Sequence, residues 1–275
     1  MKIKKLLFLL LIGVSLFSAA CEKEDDDDDK DDVEDIIVPA SLLLKSYIVS
    51  GDLFTFSYTD HKMTSFDIGN PSGTDTYMTI NFEYSGDKLM KWEASQGGEV
   101  LGNMIFSDHG SNNLPAKADY SSINGGTSEL MAKYTYNYTG DKVVEVSTSD
   151  ELSGGIMVSK VVYTYANDNV ETEEVYDFVG GSEVLAYTYE YTYDNKINPM
   201  QNIGIFNFFD YAIFEGLSLT DVNNYTKKTV YEGDGTLNNV ESHNRSFDYN
   251  SNDNPTKCMI VSFNGNDEGV ITYNY

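Results

Sequence analysis

The chain has 275 residues, of which 44 are acidic and 18 basic, and its net charge at neutral pH is −26. Binding to nucleic-acid phosphates requires clustered lysine and arginine. Arg245 is the one arginine of the sequence, so nucleic acid is excluded as a partner. The same charge excludes attraction to an anionic membrane surface and is compatible with cations and neutral glycans as ligands.

The N-terminus is typical of a secretory signal peptide. Three lysines precede the apolar run Leu6–Phe17, which at twelve residues is shorter than the roughly 20 that a membrane-spanning helix needs. Small residues then lead to Cys21, which predicts a lipoprotein signal peptide over residues 1–20 and a lipid on Cys21, although Ser18 stands where leucine is usual. The alternative is an ordinary signal cleaved near Ala20, with Cys21 as an incidental thiol.

An acidic segment follows the cysteine. Residues 22–35 contain eleven acids and two lysines, so the segment repels itself and cannot collapse. We therefore predict that residues 21–50 form a lipidated, disordered tether. The acidic run resembles the export signal of Bacteroidota lipoproteins, which implies anchoring to the outer membrane with display on the cell exterior. The alternative is a solvated spacer that faces the periplasm.

Residues 51–275 carry a repeat in which tyrosine and phenylalanine alternate with polar residues. Tyr134–Tyr138, for example, is followed by the turn residues Thr139-Gly140-Asp141-Lys142, and such units recur about every 27 residues. Alternation indicates half-buried strands, and a unit of this length holds two strands with their turns. Eight units predict an all-β, antiparallel up-and-down meander of about 14 to 16 strands. Closure into a barrel removes the exposed edges, and a folded-over or sandwiched meander is the alternative.

These motifs resemble those of Bacteroidota lipoprotein domains of unknown function with a porin-like fold and, more loosely, those of tyrosine-aspartate repeat proteins. The resemblance covers most of residues 51–275 and implies a fold without supplying catalytic residues. It depends on Tyr191, Tyr193, Asp194, Asn198 and Pro199, and on Phe247, Tyr249, Asn254, Pro255 and Lys257.

One segment breaks the period. Apolar residues between Pro199 and Gly216 recur at spacings of three and four, which predicts one short amphipathic helix inserted in the barrel.

Alternation alone fits either a water-soluble barrel with its aromatic residues inside or an outer-membrane barrel with those residues facing lipid. We favour the soluble barrel because many runs are shorter than the roughly 9 to 11 residues that span a bilayer. In addition, the apolar face is rich in tyrosine, and a lipid tether would be redundant on an integral barrel.

Few residues suggest chemistry. The histidines His61, His109 and His243 are far apart in sequence, so we expect them in exposed turns. The motifs of zinc proteases, paired-cysteine sites, serine hydrolases and phosphate loops are missing. Cys258 is expected to be a buried structural thiol. Trp92 is expected in the core, with stacking against a sugar ring as the functional alternative.

Two turns, at residues 250–254 and 264–268, offer oxygens at alternate positions, as calcium prefers, without completing a calcium-loop motif. Whether a metal binds therefore stays open, and no cofactor is predicted.

The sequence thus predicts a monomeric, lipid-anchored, non-catalytic binding or structural lipoprotein, with a glycan or a surface protein as its candidate partner. The alternatives are an outer-membrane barrel with a pore or lumen role, and a glycoside hydrolase that uses two carboxylates.

Overall fold

The computed structural model describes residues 43–60, 62–199 and 221–275. Within these ranges the chain forms sixteen strands and no helix. No segment in them is a helix with the length and apolarity needed to cross a membrane. The helix predicted between Pro199 and Gly216 lies outside the described residues.

The strands are β1 (Ser46–Val49), β2 (Asp52–Thr59), β3 (Lys62–Gly69), β4 (Thr76–Ser85), β5 (Lys88–Gln96), β6 (Glu99–His109), β7 (Pro115–Asn124), β8 (Thr127–Thr139), β9 (Lys142–Asp150), β10 (Ile156–Ala166), β11 (Asn169–Val179), β12 (Ser182–Ile197), β13 (Asn223–Glu232), β14 (His243–Tyr249), β15 (Pro255–Ser262) and β16 (Asp267–Asn274).

The sixteen strands form one closed antiparallel barrel. Each strand pairs with its neighbours in sequence, and β1 pairs with β16 to close the sheet, with Tyr47 opposite Tyr273. Closure satisfies the backbone groups that an open edge would leave unpaired. The predicted all-β meander, its closure and its strand number are confirmed.

The barrel begins earlier in the chain than predicted. The sequence predicts residues 46–49 in the tether, whereas the structure places them in β1, and Leu44 before them is fully buried. The reason is that β1 supplies the strand that joins β2 to β16. Ser50 and Gly51, both at positive φ, form the turn after it.

The aromatic face of the repeat points into the barrel. On β2 Phe54 and Phe56 are buried, and Tyr47 on β1 stacks on Phe54 with ring centroids 4.5 Å apart. Because the barrel is a single closed layer, buried side chains lie on its inner surface, where burial of each large ring stabilises the fold by roughly 2–3 kcal/mol. Other aromatic members of this core are Phe66, Phe82, Trp92, Phe106, Tyr120, Tyr134, Tyr136, Tyr163 and Tyr273.

The outer face is largely polar. On β4 the outward positions hold Thr79, Asn81 and Glu83, and Lys91 on β5 lies 3.1 Å from the Glu83 carboxylate. Ile105, an exposed apolar residue, is flanked in register by the charged Lys91 and Asp119.

Strand length does not separate a soluble from an integral barrel, contrary to the sequence argument. Several strands are long enough to span a bilayer: β6 has 11 residues, β8 has 13 and β12 has 16. The alternating aromatic segments of the sequence are shorter than the strands that contain them, so their length underestimates the length of the strands.

The two ends of the barrel differ. One end carries Leu43 and Leu44, where the chain enters, together with the last tyrosine of many hairpins, and we call it the tyrosine end. There the Tyr84 hydroxyl donates to the Met63 carbonyl at 3.0 Å, across the hairpin. The opposite end, the distal end, carries the loop at residues 151–155 and tight turns such as Gly125-Gly126, which needs glycine because both residues have positive φ.

Candidate functional site

Part of the inner face is polar. Glu173, Tyr191, Lys228, His243 and Arg245 project inward from β11 to β14, and we call them the interior polar cluster. The two cations are 7 % and 6 % exposed, and Glu173 is 1 % exposed. Charged groups are rarely buried to this degree unless they are paired or hydrogen-bonded.

Aromatic rings and one carboxylate hold the cluster. The Tyr191 hydroxyl donates to Glu173 at 2.8 Å. The Lys228 Nζ lies 4.3 Å from the centroid of the Tyr189 ring, and the guanidinium carbon of Arg245 lies 4.0 Å from that of Tyr225. Ring faces attract cations more strongly when water is excluded. The cluster is therefore an organised part of the core.

His243 is buried in this cluster, so the prediction that it is an exposed turn residue is wrong. Burial, together with the positive charges of Arg245 and Lys228 nearby, lowers the pKa of His243 to about 3. The neutral ring donates from Nδ1 to the Glu241 carbonyl at 3.3 Å, which leaves Nε2 to accept from the Tyr225 hydroxyl at 3.4 Å. Its chemistry at neutral pH is that of a hydrogen-bonding core residue.

Asp221, two residues before β13, is a second buried group whose pKa is shifted. Its carboxylate accepts from the Val170 amide at 2.7 Å. Burial raises the pKa of Asp221 to about 7, while hydrogen bonds from Val170 and Tyr193 oppose the shift. Asp221 therefore stays partly protonated at neutral pH, and it ties the start of β11 to the chain before β13.

A cavity of about 390 Å³ opens at the distal end between β8, β9, β10 and β11. Its volume falls within the roughly 300–1,000 Å³ typical of small-molecule sites. Tyr134 and Thr148 lie at its buried side, and Asp177 is exposed at its rim. Among the residues that the structure describes, those that line the cavity include carboxylates and hydroxyls but no lysine, arginine or histidine.

The structure places Trp92 in the core, 2 % exposed, with its ring centroid 5.9 Å from that of Tyr120. This agrees with the core interpretation, and a role in sugar stacking stays a prediction. Cys258 is fully buried, and burial raises the pKa of its thiol to about 11, as expected for a structural cysteine. Cys21 and His61 lie outside the described residues.

The two turns considered for calcium are stabilised by their own side chains. Asn250 Oδ1 accepts from the amides of Asn252 and Asn254, and Asn264 Oδ1 accepts from that of Asn266. Over the described ranges, no group of three or more histidine, cysteine, aspartate or glutamate side chains could hold a metal ion.

No family model and no curated protein matches the chain. Solved structures do resemble it. A porin-like protein from Bacteroides uniformis ATCC 8492 has a TM-score of 0.54 and 11 % identity, over 86 % of this chain and 97 % of that one. A porin-like protein from Bacteroides vulgatus ATCC 8482 has a TM-score of 0.54 and 12 % identity, over 85 % and 98 % of the two chains.

At such low identity the likeness concerns the fold alone. It agrees with the fold that the sequence motifs implied, and it extends over nearly the whole length of both Bacteroides proteins. The chain thus has the closed, all-β barrel fold of these porin-like proteins.

Proposed function

We propose that this protein is a lipid-anchored, non-catalytic binding lipoprotein of the outer membrane, displayed on the cell exterior, whose barrel stands in water as a monomer. The anchor is the lipid on Cys21, and residues 22–35 form the acidic part of the tether that holds the barrel away from the membrane surface.

The observation that carries the proposal is the distribution of side chains across the barrel wall. A bilayer-spanning barrel turns an apolar band outward and a polar lumen inward. Here the arrangement is the reverse, because Phe54, Phe56 and Phe82 are buried inside while Asn81 and Glu83 face outward. Lysine or glutamate near the middle of a lipid-facing wall would cost about 2–4 kcal/mol for lysine and somewhat less for glutamate.

The position of the tether also supports an anchored barrel. The chain enters at the tyrosine end, where the Tyr58 hydroxyl donates to the Leu44 carbonyl at 2.8 Å. A lipid on Cys21 would attach the barrel to the membrane through this end, which leaves the distal end with its cavity free of the tether. A binding role needs such an accessible surface, whereas a purely structural role does not.

The carboxylate of Asp150, at the cavity, favours a non-catalytic role. A glycoside hydrolase requires an acid with a raised pKa beside a second carboxylate. Asp150 lines the cavity, but hydrogen bonds from the Ser153 hydroxyl and from the turn amides lower its pKa. An acid of that kind is a poor proton donor at neutral pH.

The test is the fate of the Cys21→Ser protein in fractionated cells, with Cys258→Ser as the matched control. Loss of the lipid should move the protein from the membrane to the soluble fraction, while Cys258→Ser should stay on the membrane. Protease treatment of intact cells should digest the lipidated barrel. A Cys21→Ser protein that stays in the membrane and needs detergent would instead favour the integral pore, and protection from protease would favour the periplasmic face.

A further inference from the structure

At the distal end the strands of the barrel differ in length, which leaves one edge of β8 without a neighbouring strand. On the side of β7, pairing continues to the end of the hairpin, where Thr127 lies opposite Asn124. On the side of β9, the paired residues end at Ala132 and Asp150. Residues 127–130 are therefore paired on one side only within the part of the chain that the structure describes, and we call them the free edge.

The backbone of the free edge directs hydrogen-bonding groups towards the side that lacks a strand. Asn124 and Thr127 flank the two-residue turn of the hairpin, and residues in that position exchange both of their hydrogen bonds. Bonded and non-bonded pairs alternate along an antiparallel ladder, so Ser128 and Leu130 direct their N–H and C=O groups away from β7. No described backbone group bonds to them on that side. A row of such groups is a template on which an extended peptide can form a further strand.

Exposed apolar side chains lie beside the free edge. Leu152 is 55 % exposed, and it lines the distal cavity together with Met131, the residue that follows the free edge. Val158 lines the same cavity and is 38 % exposed, and Ile156, at the start of β10, is 57 % exposed. Apolar groups that gather on a surface in this way mark interaction sites. A strand added to the free edge would remove part of this surface from water.

The charges around the free edge favour a cationic partner. Asp150 and Asp177 line the cavity, and Glu129 is exposed on the free edge itself. Asp177 is exposed and forms no ion pair with another described residue. A lysine or arginine of a partner could lay its apolar stem along Leu152 and bring its charge to Asp177. A second copy of this chain is a poor partner, because its net charge of −26 would repel the first.

We propose that the free edge binds an extended, basic segment of another protein by strand addition. The backbone of that segment pairs with Ser128 and Leu130, and its alternate side chains face the cavity, where a lysine or arginine meets Asp177. A glycan fits less well, because a sugar cannot continue the hydrogen-bonding pattern of a β-sheet. The inference deepens the proposed binding role and rests on it, because the distal end must be accessible to the partner.

The experiment measures peptide binding by the full chain carrying Cys21→Ser, so that no lipid is attached. The probe is a short fluorescein-labelled peptide in which lysine and valine alternate. Its fluorescence anisotropy is recorded near physiological salt, which screens long-range attraction to the acidic barrel and tether. One control peptide has the same side chains but N-methylated backbone amides, so it cannot pair as a strand. A second control peptide has glutamate in place of lysine.

Two variants of Ser128 separate the backbone from the side chain. Ser128→Pro removes the N–H group that the added strand would use, whereas the matched control Ser128→Ala removes the hydroxyl and keeps that N–H. The pairing with β7 does not use this N–H, so urea unfolding should show that both variants are folded. Asp177→Asn tests the charge at the cavity, with Asp119→Asn, exposed on β7, as its control.

We expect the lysine–valine peptide to bind, and both control peptides to bind much more weakly. Ser128→Pro should weaken binding by about tenfold, the usual effect of one lost hydrogen bond in a binding site. Asp177→Asn should also weaken it, whereas Ser128→Ala and Asp119→Asn should bind like the parent.

Equal binding of the N-methylated peptide would show attraction to acidic groups alone, and it would overturn the proposal even if Ser128→Pro failed to fold. The proposal would also be overturned if the lysine–valine peptide did not bind, if both Ser128 variants bound it equally, or if Asp177→Asn left its binding unchanged. A dimer in light scattering that Ser128→Pro dissociates would show that a second copy occupies the free edge instead. The lipid anchor is tested separately, by fractionation of cells, and does not depend on these results.

Discussion

The Tyr138 hydroxyl donates a hydrogen bond to the backbone carbonyl of Pro115 at 2.7 Å, which joins the end of β8 to the start of β7. The same arrangement recurs around the tyrosine end. Its other examples are Tyr58 with Leu44, Tyr84 with Met63, Tyr193 with Val170, and Tyr275 with Pro255. In these five hairpins the hydroxyl satisfies a carbonyl at the end of the neighbouring strand while its ring packs inward. This explains why the last aromatic residue of so many units is tyrosine.

Removal of this hydroxyl should destabilise the barrel by a measurable amount. Tyr138→Phe keeps the ring and leaves the Pro115 carbonyl without its donor, so the free energy of unfolding should fall by about 1 kcal/mol. The matched control is Tyr187→Phe, because the Tyr187 side chain is 36 % exposed and donates no hydrogen bond among the described residues. Urea unfolding monitors both variants. Equal stability of the two would contradict a structural role for the Tyr138 hydroxyl.

The first strand should be required for a closed, monomeric barrel. A chain that begins at Gly51 lacks β1 and exposes the edges of β2 and β16, whereas a chain that begins at Ile36 keeps them paired. Unpaired edges promote association through strand addition. Light scattering should therefore show oligomers or aggregates of the shorter chain and a monomer of the longer one. Identical monomers would show that the barrel closes without β1.

Much of the fold could be predicted from the sequence because alternation and turn residues are local signals. The same alternation also places Arg245 on the inner face, since it shares that face with Phe247 and Tyr249. β1 could not be assigned in this way because it is only four residues long and precedes the first full repeat. The sequence also could not show that Lys228 faces inward. The pairing of β12 with β13 is irregular between Thr192 and Tyr193, which shifts the register by one residue, and such a shift exchanges the inner and outer faces of the strand.

The cavity depends on contacts between strands that are distant in sequence. Thr148 follows Val146 by two residues, so alternation could have indicated that it faces inward. Its alignment with Ser159 and Asp177 depends on an irregularity in β10 between Met157 and Ser159. No local pattern reveals such an irregularity, so this alignment of side chains at the cavity is apparent only in the folded barrel.

Trp92 provides an internal probe, because it is the one tryptophan of the sequence. Its burial predicts blue-shifted fluorescence and weak quenching by acrylamide in the folded protein. Because Trp92 is buried in the core, added sugars should leave this emission unchanged. A large change in emission on sugar binding would instead support stacking on Trp92 and contradict its assignment to the core.

His243 should make stability depend on pH. The pKa of His243 is about 3 in the folded chain, below the ordinary value of 6.5, so the unfolded chain takes up a proton first as the pH falls. Stability should therefore decrease below about pH 6.5, by up to about 1.4 kcal/mol per pH unit from this group. His243→Gln removes the contribution. The difference in unfolding free energy between parent and variant should change between pH 6.5 and 4, and a constant difference would contradict the burial of a neutral His243.

Asp221 should change the pH dependence of stability in the direction opposite to that of His243, so it provides a check on the His243 measurement. Its pKa is raised to about 7, so the folded chain takes up a proton before the unfolded chain, and stability should rise as the pH falls from 7 towards 4. Asp221→Asn removes the gain, so the loss of stability in acid should become steeper than in the parent. A shallower loss would contradict the sign of this shift.

The central claim is that the aromatic side chains fill the barrel and its outer wall faces water. The most direct measurement is the molar mass of the chain from Ile36 to Tyr275, determined in detergent-free buffer by size-exclusion chromatography with light scattering. The account predicts a soluble monomer whose elution and mass do not change when detergent is added. A protein that aggregates without detergent and becomes monodisperse only as a detergent complex would contradict it.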